Sequence, residues 1–417
     1  MTFEANSLIL TMVPLLGGLL GFAVWSQPNK LKMLLTLVTL LSLASVIVLS
    51  GQVTTSAGGS LLLYLLPLAA CVSLLVQFNN HDDPLSSLMT VVLLGLGLGA
   101  LTSEGVTSQI FLAVILGLVA FLLFKYRNPL WSSSWTGIGV SGFAAVCAGF
   151  SAGADASAAL IVSLLVSAVL LPLLPLQAGY VMAVTRLPGS LPAFMIFLLP
   201  VLGLNNLAGL IVEVPEDMAY SISILALVSI VFATLKAMLQ SRVPLVLAYS
   251  SSAFFAILWW FLASSQTVTP QNVIYLVAVA LMATGLMLAW QVICSKYGDD
   301  VDMRAVHGLV WSMPQFAVLL TLVALAAMGM PPFGVFAGFV GMLLTTAYAT
   351  YIPLIFILAA WLAASWYIMS MVQKMLFGQK QLEIRQIRLH QSEFASLLII
   401  VLISVALGVL PSDIAGI

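Results

Sequence analysis

Charged residues are scarce in this sequence. Lys and Arg number 13 and Asp and Glu 14 among 417 residues, so charged side chains make up 6% of the chain. Soluble globular proteins carry about 25% charged residues, which they need to cover a water-facing surface. The sequence therefore excludes a soluble enzyme. A net charge of -1, without a cluster of basic residues, also excludes a nucleic-acid-binding protein.

Cysteine and histidine are rare as well, and neither is spaced for a metal ion or a disulfide. The residues concerned are Cys71, Cys147 and Cys294, each alone in an apolar segment, and His81, His307 and His390, all in loops. No glycine-rich phosphate loop follows a strand. We therefore expect no catalytic, cofactor-binding or metal site in this chain, and we assign any redox chemistry to other subunits.

Long apolar runs fill most of the chain. Hydrophobic residues make up 62% of it, and they gather in runs of roughly 18 to 25 residues, the length that crosses about 30 Å of hydrocarbon. The pattern predicts an all-α polytopic membrane protein with about fourteen transmembrane helices, termed spans 1 to 14. Their expected positions are 7–25, 31–50, 61–78, 85–102, 108–124, 133–151, 156–177, 188–211, 219–238, 244–263, 272–294, 313–348, 351–377 and 394–412.

The twelfth run is too long for a simple span and holds Gly329, Met330, Pro331 and Pro332 near its middle. Prolines lack an N–H donor and interrupt the helical ladder, which favours one broken helix over two spans. That choice places all 13 basic residues at one side of the membrane, termed the basic side, as the positive-inside rule expects. It predicts a multi-pass protein of the cell inner (plasma) membrane with both termini outside.

A second interruption lies between Pro172 and Pro175 in span 7. Spans 7 and 12 would run in opposite directions, which predicts inverted five-helix repeats, spans 4–8 and spans 9–13. Paired broken helices of this kind are typical of transporters. The expected divisions are 1–84 for spans 1–3, 85–211 and 219–377 for the two antiporter-like repeats, and 378–417 for a basic-side loop with span 14.

Four short stretches carry a resemblance to a known family. They are Pro-Leu-Leu-Pro-Leu at 172–176, Gln240 followed by Leu-Ala-Tyr-Ser-Ser at 247–251, the segment 302–314 from Asp-Met to Met-Pro, and Gly-Met-Pro-Pro-Phe-Gly at 329–334. In this order they resemble the antiporter-like membrane subunits shared by respiratory complex I (NADH:quinone oxidoreductase), Mrp-type sodium/proton antiporters and membrane-bound hydrogenases. The match spans about residues 160 to 345.

The resemblance implies a fold of fourteen helices with two half-channels, in which protons move along buried ionizable residues. The relay positions that can be placed are apolar here: the family's relay residues fall near Leu118 and Val201 and at Leu170, Phe254 and Phe339. The family's loop histidine is replaced by Gln177, and its Lys-Arg dipeptide by Trp311 and Ser312. A group that never changes charge cannot hold and pass on a proton. The sequence therefore predicts a divergent member with a degenerate channel.

Some polar residues remain as candidates for an ion path: Lys236, Asn205, Asn206, Ser250 and Ser251. Lys236 lies near the basic-side end of span 9, where its stem could also reach the interface by snorkelling. The two asparagines could instead make interhelical hydrogen bonds, and the serine hydroxyls could bond to helix carbonyls. The segment 379–393 alternates charged with apolar residues and is expected to lie along the basic-side surface or against a partner.

Three functions remain open at this point. The first is an integral membrane subunit, mainly structural or coupling, of a complex I-like, Mrp-like or hydrogenase-like assembly that moves protons or cations. The second is an active proton or sodium antiporter that uses the relocated polar residues. The third is an accessory subunit of an energy-coupled inorganic-carbon uptake system. In all three the expected partners are the lipid bilayer and other membrane subunits.

Overall fold

The computed structural model describes residues 2–49, 59–76, 83–127, 134–298, 306–345, 351–377 and 389–409. All regular structure in these ranges is helical. The helices are α1 (Thr2–Ala23), α2 (Pro28–Leu49), α3 (Gly59–Leu75), α4 (Pro84–Thr102), α5 (Gly105–Lys125), α6 (Ser134–Ser151), α7 (Ala156–Leu170), α8 (Ala178–Arg186), α9 (Leu191–Leu210), α10 (Glu216–Met238), α11 (Val243–Ser265), α12 (Pro270–Tyr297), α13 (Leu309–Ser312), α14 (Pro314–Ala327), α15 (Gly334–Thr345), α16 (Ile352–Leu376) and α17 (Gln391–Val409), with a 3₁₀ turn at Ile211–Glu213.

The helices have the length and composition of membrane spans. Within the described residues, ten are long and apolar enough to cross a bilayer, and α3, α6, α7, α14 and α15 are shorter apolar helices. The expectation of an all-α polytopic membrane protein is confirmed. Asp302 and Met303 of the family-like segment, and the basic residues Lys380, Arg385 and Arg388, lie outside the described residues.

Both expected helix interruptions are present. The break expected near the end of span 7 lies between α7, which ends at Leu170, and α8, which begins at Ala178, just beyond the predicted end of that span; span 12 is divided into α14, which ends at Ala327, and α15, which begins at Gly334. The Leu174-Pro175 and Pro331-Pro332 peptide bonds in these breaks are cis. The helical ladder stops at these places because proline offers no N–H to the preceding turn.

Contacts between helices repeat from one half of the chain to the other. In the first half α4 contacts α5 and α9, α6 contacts α5, α7 and α8, and α7 contacts α9. In the second half α10 contacts α11 and α16, α12 contacts α11, α14 and α15, and α14 contacts α16. These sets correspond helix by helix when spans 4–8 are matched to spans 9–13, as an inverted repeat requires.

The helices differ strongly in how much of their surface is covered. Every residue in the most apolar stretch of α12 is buried within the protein, whereas only a third of the equivalent stretches of α5 and α10 are buried. Helix α12 can occupy the centre because it carries no Asp, Glu, Lys, Arg or His between Asn272 and Ile293. The outer helices leave broad apolar faces, which suit a lipid environment.

Candidate functional site

The break in span 7 frees backbone groups that other helices satisfy. The indole Nε1 of Trp259, in α11, donates to the Leu171 carbonyl oxygen at 2.9 Å. The Leu174 backbone N–H donates to the hydroxyl of Ser229, in α10, at 3.2 Å. Both partners are buried. The protein itself therefore takes up polar groups that could otherwise line a water-filled path.

The break in span 12 is closed in the same way. The indole Nε1 of Trp361, in α16, donates to the Met328 carbonyl oxygen at 3.1 Å, and the Ser365 hydroxyl lies 3.3 Å from that oxygen. Gly329 follows with a φ of 71°. A Cβ at Gly329 would lie 2.0 Å from the Trp361 ring, so the chain needs glycine here for both its conformation and the approach of the indole.

A group of aromatic rings includes Phe254 and Phe339, where the sequence resemblance places relay residues of the second repeat. The ring centroids of Phe254 and Trp361 are 5.2 Å apart, and those of Phe339 and Trp361 are 4.2 Å apart. Tyr275 contacts both Phe339 and Trp361, with centroid distances of 6.4 Å. All four side chains are buried. We term Phe254, Tyr275, Phe339 and Trp361 the aromatic cluster, and it contains no group that can accept and release a proton at physiological pH.

The relay positions of the first repeat are apolar as well. Leu170 and Val201 are fully buried, and Leu118 is half-buried against the core. Gln177, at the loop-histidine position, is buried, and its Oε1 atom lacks a hydrogen-bond partner within the described residues. The apolar assignments made from the sequence therefore describe the interior of both repeats.

A neutral hydrogen-bond network surrounds Asn206, near the end of α9 that leads to α10. Its amide nitrogen donates to the Ser163 carbonyl oxygen at 3.1 Å and to the Ser167 hydroxyl at 2.8 Å. Its amide oxygen accepts from Gln109 Nε2 at 2.6 Å, and Gln109 in turn accepts from the Ser151 hydroxyl at 3.1 Å. Four helices are thus joined by uncharged groups, in the manner of interhelical hydrogen bonds.

Ser250 and Ser251 lie in the interior of α11 and bond mainly to their own helix. Both hydroxyls donate to the Leu247 carbonyl oxygen, at 3.1 and 2.8 Å. Ser251 also pairs with the Tyr180 hydroxyl at 2.8 Å. They border a small, mostly apolar pocket that also touches Phe254. The hydroxyls therefore satisfy backbone groups, as the alternative sequence interpretation expected.

The five candidate ion-path residues do not lie close together in the structure. Lys236 is exposed on α10, with its ammonium 5.7 Å from the Phe232 ring centroid. Asn205 and Asn206 are half-buried near the far end of α9. At about 1.5 Å per residue, Lys236 lies about 30 Å along α10 from the end that follows α9. Its position agrees with snorkelling to the basic-side interface.

The sequence matches a known family of membrane subunits. The family model described as NADH:quinone oxidoreductase/Mrp antiporter, transmembrane, matches residues 136–367, which is more than half of the chain. The chain belongs to this family. The matched segment contains both broken spans and the whole aromatic cluster, so the family assignment rests on the region described above.

Individual relatives within the family match over shorter stretches. The chain is 31% identical over 198 residues to NADH-quinone oxidoreductase subunit N 2 of Aquifex aeolicus, covering 46% of this chain and 40% of that protein. It is 32% identical over 123 residues to subunit N of Ectopseudomonas mendocina, covering 29% of this chain and 24% of that protein. The chain thus spans less than half the length of these curated relatives.

Solved structures show that the fold is shared over nearly the whole chain. A chain of the membrane-bound sulfane sulfur reductase, an archaeal respiratory membrane complex, superposes with a TM-score of 0.85 at 18% identity, covering 98% of this chain and 95% of that one. A chain of respiratory complex I from Thermus thermophilus with bound aureothin gives a TM-score of 0.77 at 17% identity, with 99% and 98% covered. The antiporter-like fold is therefore retained.

One buried charge was not predicted from the sequence. Glu393 is fully buried at the start of α17, with its Oε1 atom 3.4 Å from the ammonium of Lys296, which is 13% exposed at the end of α12. Its Oε2 atom accepts from the His390 backbone N–H at 2.8 Å. The segment 379–393 was expected to lie along the basic-side surface or against a partner, whereas Glu393 is buried within this chain. The position of Glu393 at the start of an apolar run could have predicted this, because an acidic side chain there can cap a helix.

We expect Asn206→Leu to destabilise the protein by about 1–2 kcal/mol, because it removes hydrogen bonds that join α9 to α5 and α7. The free energy of unfolding can be measured by SDS titration in mixed micelles. Gln109→Leu should cost less in the Asn206→Leu background than in the parent protein, since the two amides share a bond. Strict additivity of the two changes would contradict the network.

Proposed function

We propose that this chain is a membrane subunit of a complex I-like, energy-converting assembly, and that its own proton path is closed. The aromatic cluster is the observation that carries the proposal. It occupies the family's relay positions Phe254 and Phe339, and Trp361 bridges them in van der Waals contact. The relatives that match by sequence are named as NADH-quinone oxidoreductase subunits, which supports an assembly of this type.

Physical chemistry favours a closed path over a relocated one. Moving a proton through hydrocarbon requires protonatable stations or continuous water, because an isolated charge there costs several kcal/mol. The remaining polar groups along the former path are hydroxyls and amides, and none of them titrates near neutral pH. The indoles of Trp259 and Trp361 hold the freed carbonyls. A structural or coupling role therefore fits the interior better than ion transport does.

The exterior supports incorporation into a larger membrane assembly. Helices α10 and α16 present long apolar faces, with Leu235 55% and Leu362 70% exposed. In the membrane these faces would meet lipid or other membrane subunits. The proposal includes the inner membrane as location, both termini outside, and the division into residues 1–84, two repeats at 85–211 and 219–377, and 378–417.

Proton translocation should be insensitive to Lys236, the lysine among the candidate ion-path residues. We expect Lys236→Ala to leave proton translocation by the purified assembly unchanged, since Lys236 is exposed on α10. A pH-sensitive dye trapped in proteoliposomes measures the flux. The chain reconstituted alone should not collapse an imposed proton or sodium gradient. Loss of flux in the variant, or transport by the single chain, would favour an active antiporter with relocated residues.

The partners can be identified from what purifies with the chain in mild detergent. We expect several other membrane subunits of a proton- or sodium-coupled redox assembly. Recovery with a soluble inorganic-carbon partner instead would support the uptake-system hypothesis and contradict the proposed assembly.

A further inference from the structure

An arginine is held between two aromatic rings at the membrane-facing surface of α5 and α6. The Arg127 guanidinium carbon lies 4.4 Å from the Phe124 ring centroid and 4.9 Å from that of Trp135. Phe124 is 48% and Trp135 57% exposed, and their rings meet edge to face at 6.4 Å. Aromatic faces attract a cation and restrict its motion. The two rings therefore restrict the position of the guanidinium although the Arg127 side chain is exposed.

A second cation, Lys125, lies two residues earlier in the chain, and the carboxylate of Asp83 is already hydrogen-bonded. Lys125 is exposed, with its ammonium 5.4 Å from the Tyr126 ring centroid. The Tyr126 hydroxyl donates to Asp83 Oδ2, and Asp83 Oδ1 accepts from the Leu85 backbone N–H at 3.1 Å. Burial, with Asp83 nearby, raises the pKa of the Tyr126 hydroxyl, so it remains a donor. Both oxygens of Asp83 thus have partners other than the two cations.

An apolar surface continues from these cations toward the middle of the bilayer. Phe121 on α5 is 56% exposed, and Phe143 on α6 is 50% exposed. Gly117 on α5 and Gly142 on α6 have open space where a Cβ would stand. Because α5 and α6 pack as antiparallel neighbours, both glycines lie about 10 Å below the Phe124–Trp135 contact at about 1.5 Å per residue. Because neither glycine carries a side chain, the surface between Phe121 and Phe143 is recessed relative to the two phenylalanine rings.

We propose that this surface binds an anionic phospholipid. The phosphate would bind Arg127 and Lys125, and one acyl chain would lie over Gly117 and Gly142. Arginine offers a planar pair of donors that matches phosphate oxygens, and lysine adds a point charge. Charge complementarity at the basic-side interface identifies the headgroup as anionic. The apolar surface that continues below the cations favours a lipid over free phosphate.

Binding can be tested by native mass spectrometry of the chain, with the subunits that accompany it in mild detergent, titrated with phosphatidylglycerol or phosphatidylcholine. We expect tighter binding of the first phosphatidylglycerol than of phosphatidylcholine. Arg127→Gln and Lys125→Gln should each weaken phosphatidylglycerol binding about five-fold, as expected for one basic residue near an anionic headgroup. Phosphatidylcholine binding should change little.

The acyl-chain surface has a matched control on the same helix. Gly142→Leu should weaken phosphatidylglycerol binding, whereas Gly149→Leu should not, because Gly149 also has open space but lies about 10 Å farther along α6. Equal binding of the two lipids, or no effect of Arg127→Gln, would overturn the proposal. Displacement of the lipid by millimolar inorganic phosphate would assign the cations to free phosphate and also overturn it.

Discussion

Trp361→Ala is expected to destabilise the protein by about 3–5 kcal/mol, the cost of truncating a large buried aromatic side chain. Trp361 is only 9% exposed and contacts Phe254, Phe339 and Tyr275. Its loss would open a cavity between α11, α12 and α15. It would also leave the Met328 carbonyl with only the longer 3.3 Å contact to Ser365. Trp361→Ala therefore removes aromatic packing and a hydrogen bond at the same time.

Two variants separate these contributions when the free energy of unfolding is measured by SDS titration in mixed micelles. Trp361→Phe retains much of the ring packing but loses the indole donor, and it should cost less than Trp361→Ala. Trp366→Ala is the matched control, because Trp366 lies on the same helix but is 62% exposed. That change should have little effect. Equal losses for Trp361→Ala and Trp366→Ala would refute a stabilising aromatic cluster.

Lys296→Met is expected to destabilise the protein by about 3 kcal/mol, because it leaves the carboxylate of Glu393 buried without its cation. The pair joins the end of α12 to the start of α17 at 3.4 Å. Neutralising both partners should be much less costly, since a buried ion pair contributes little beyond what its own desolvation consumes. The Lys296→Met, Glu393→Gln double variant should therefore recover most of the loss.

The same unfolding measurement distinguishes this buried pair from an exposed lysine. Lys236→Met serves as the control, because Lys236 also lies in the last turn of its helix but is exposed. It should change the free energy of unfolding by less than about 1 kcal/mol. If the double variant is as unstable as Lys296→Met, the two side chains are not coupled and the ion pair contributes nothing specific.

The aromatic cluster gives the first of these predictions a functional meaning. In the family, the corresponding interior carries ionizable residues, as the sequence resemblance implies. Here Phe254 and Phe339 stand at those positions and Trp361 closes the space between them. The stability of the protein and the proposed closure of its proton path therefore depend on the same side chains. We therefore expect a variant that opens the cluster to lose stability whether or not it gains proton conduction.

Much of the fold could be predicted from the sequence. The apolar runs indicated the spans, and Pro172, Pro175, Gly329 and the Pro331-Pro332 pair indicated the broken helices, because hydrophobic length and missing N–H donors act locally along the chain. The apolar character of the relay positions was also readable from the motifs. These features depend on residue identity and position along a helix, which the sequence contains.

The direction in which each side chain points could not be predicted. Most spans are apolar on every face, so periodicity did not distinguish the face toward lipid from the face toward the core. The sequence therefore left Lys236 between channel and interface, and it did not predict that Glu393 is buried within the chain. It also gave no sign that Trp259 and Trp361 bond to the carbonyls of the two breaks.

The sequence by itself determined a multi-pass helical protein of the antiporter-like family with apolar residues at the relay positions. Only the tertiary structure decided that Lys236 is exposed, that Glu393 is buried against Lys296, and that Phe254, Phe339 and Trp361 are in contact. The physical reason is that hydropathy fixes depth in the membrane, whereas orientation follows from packing between helices that are distant in the chain.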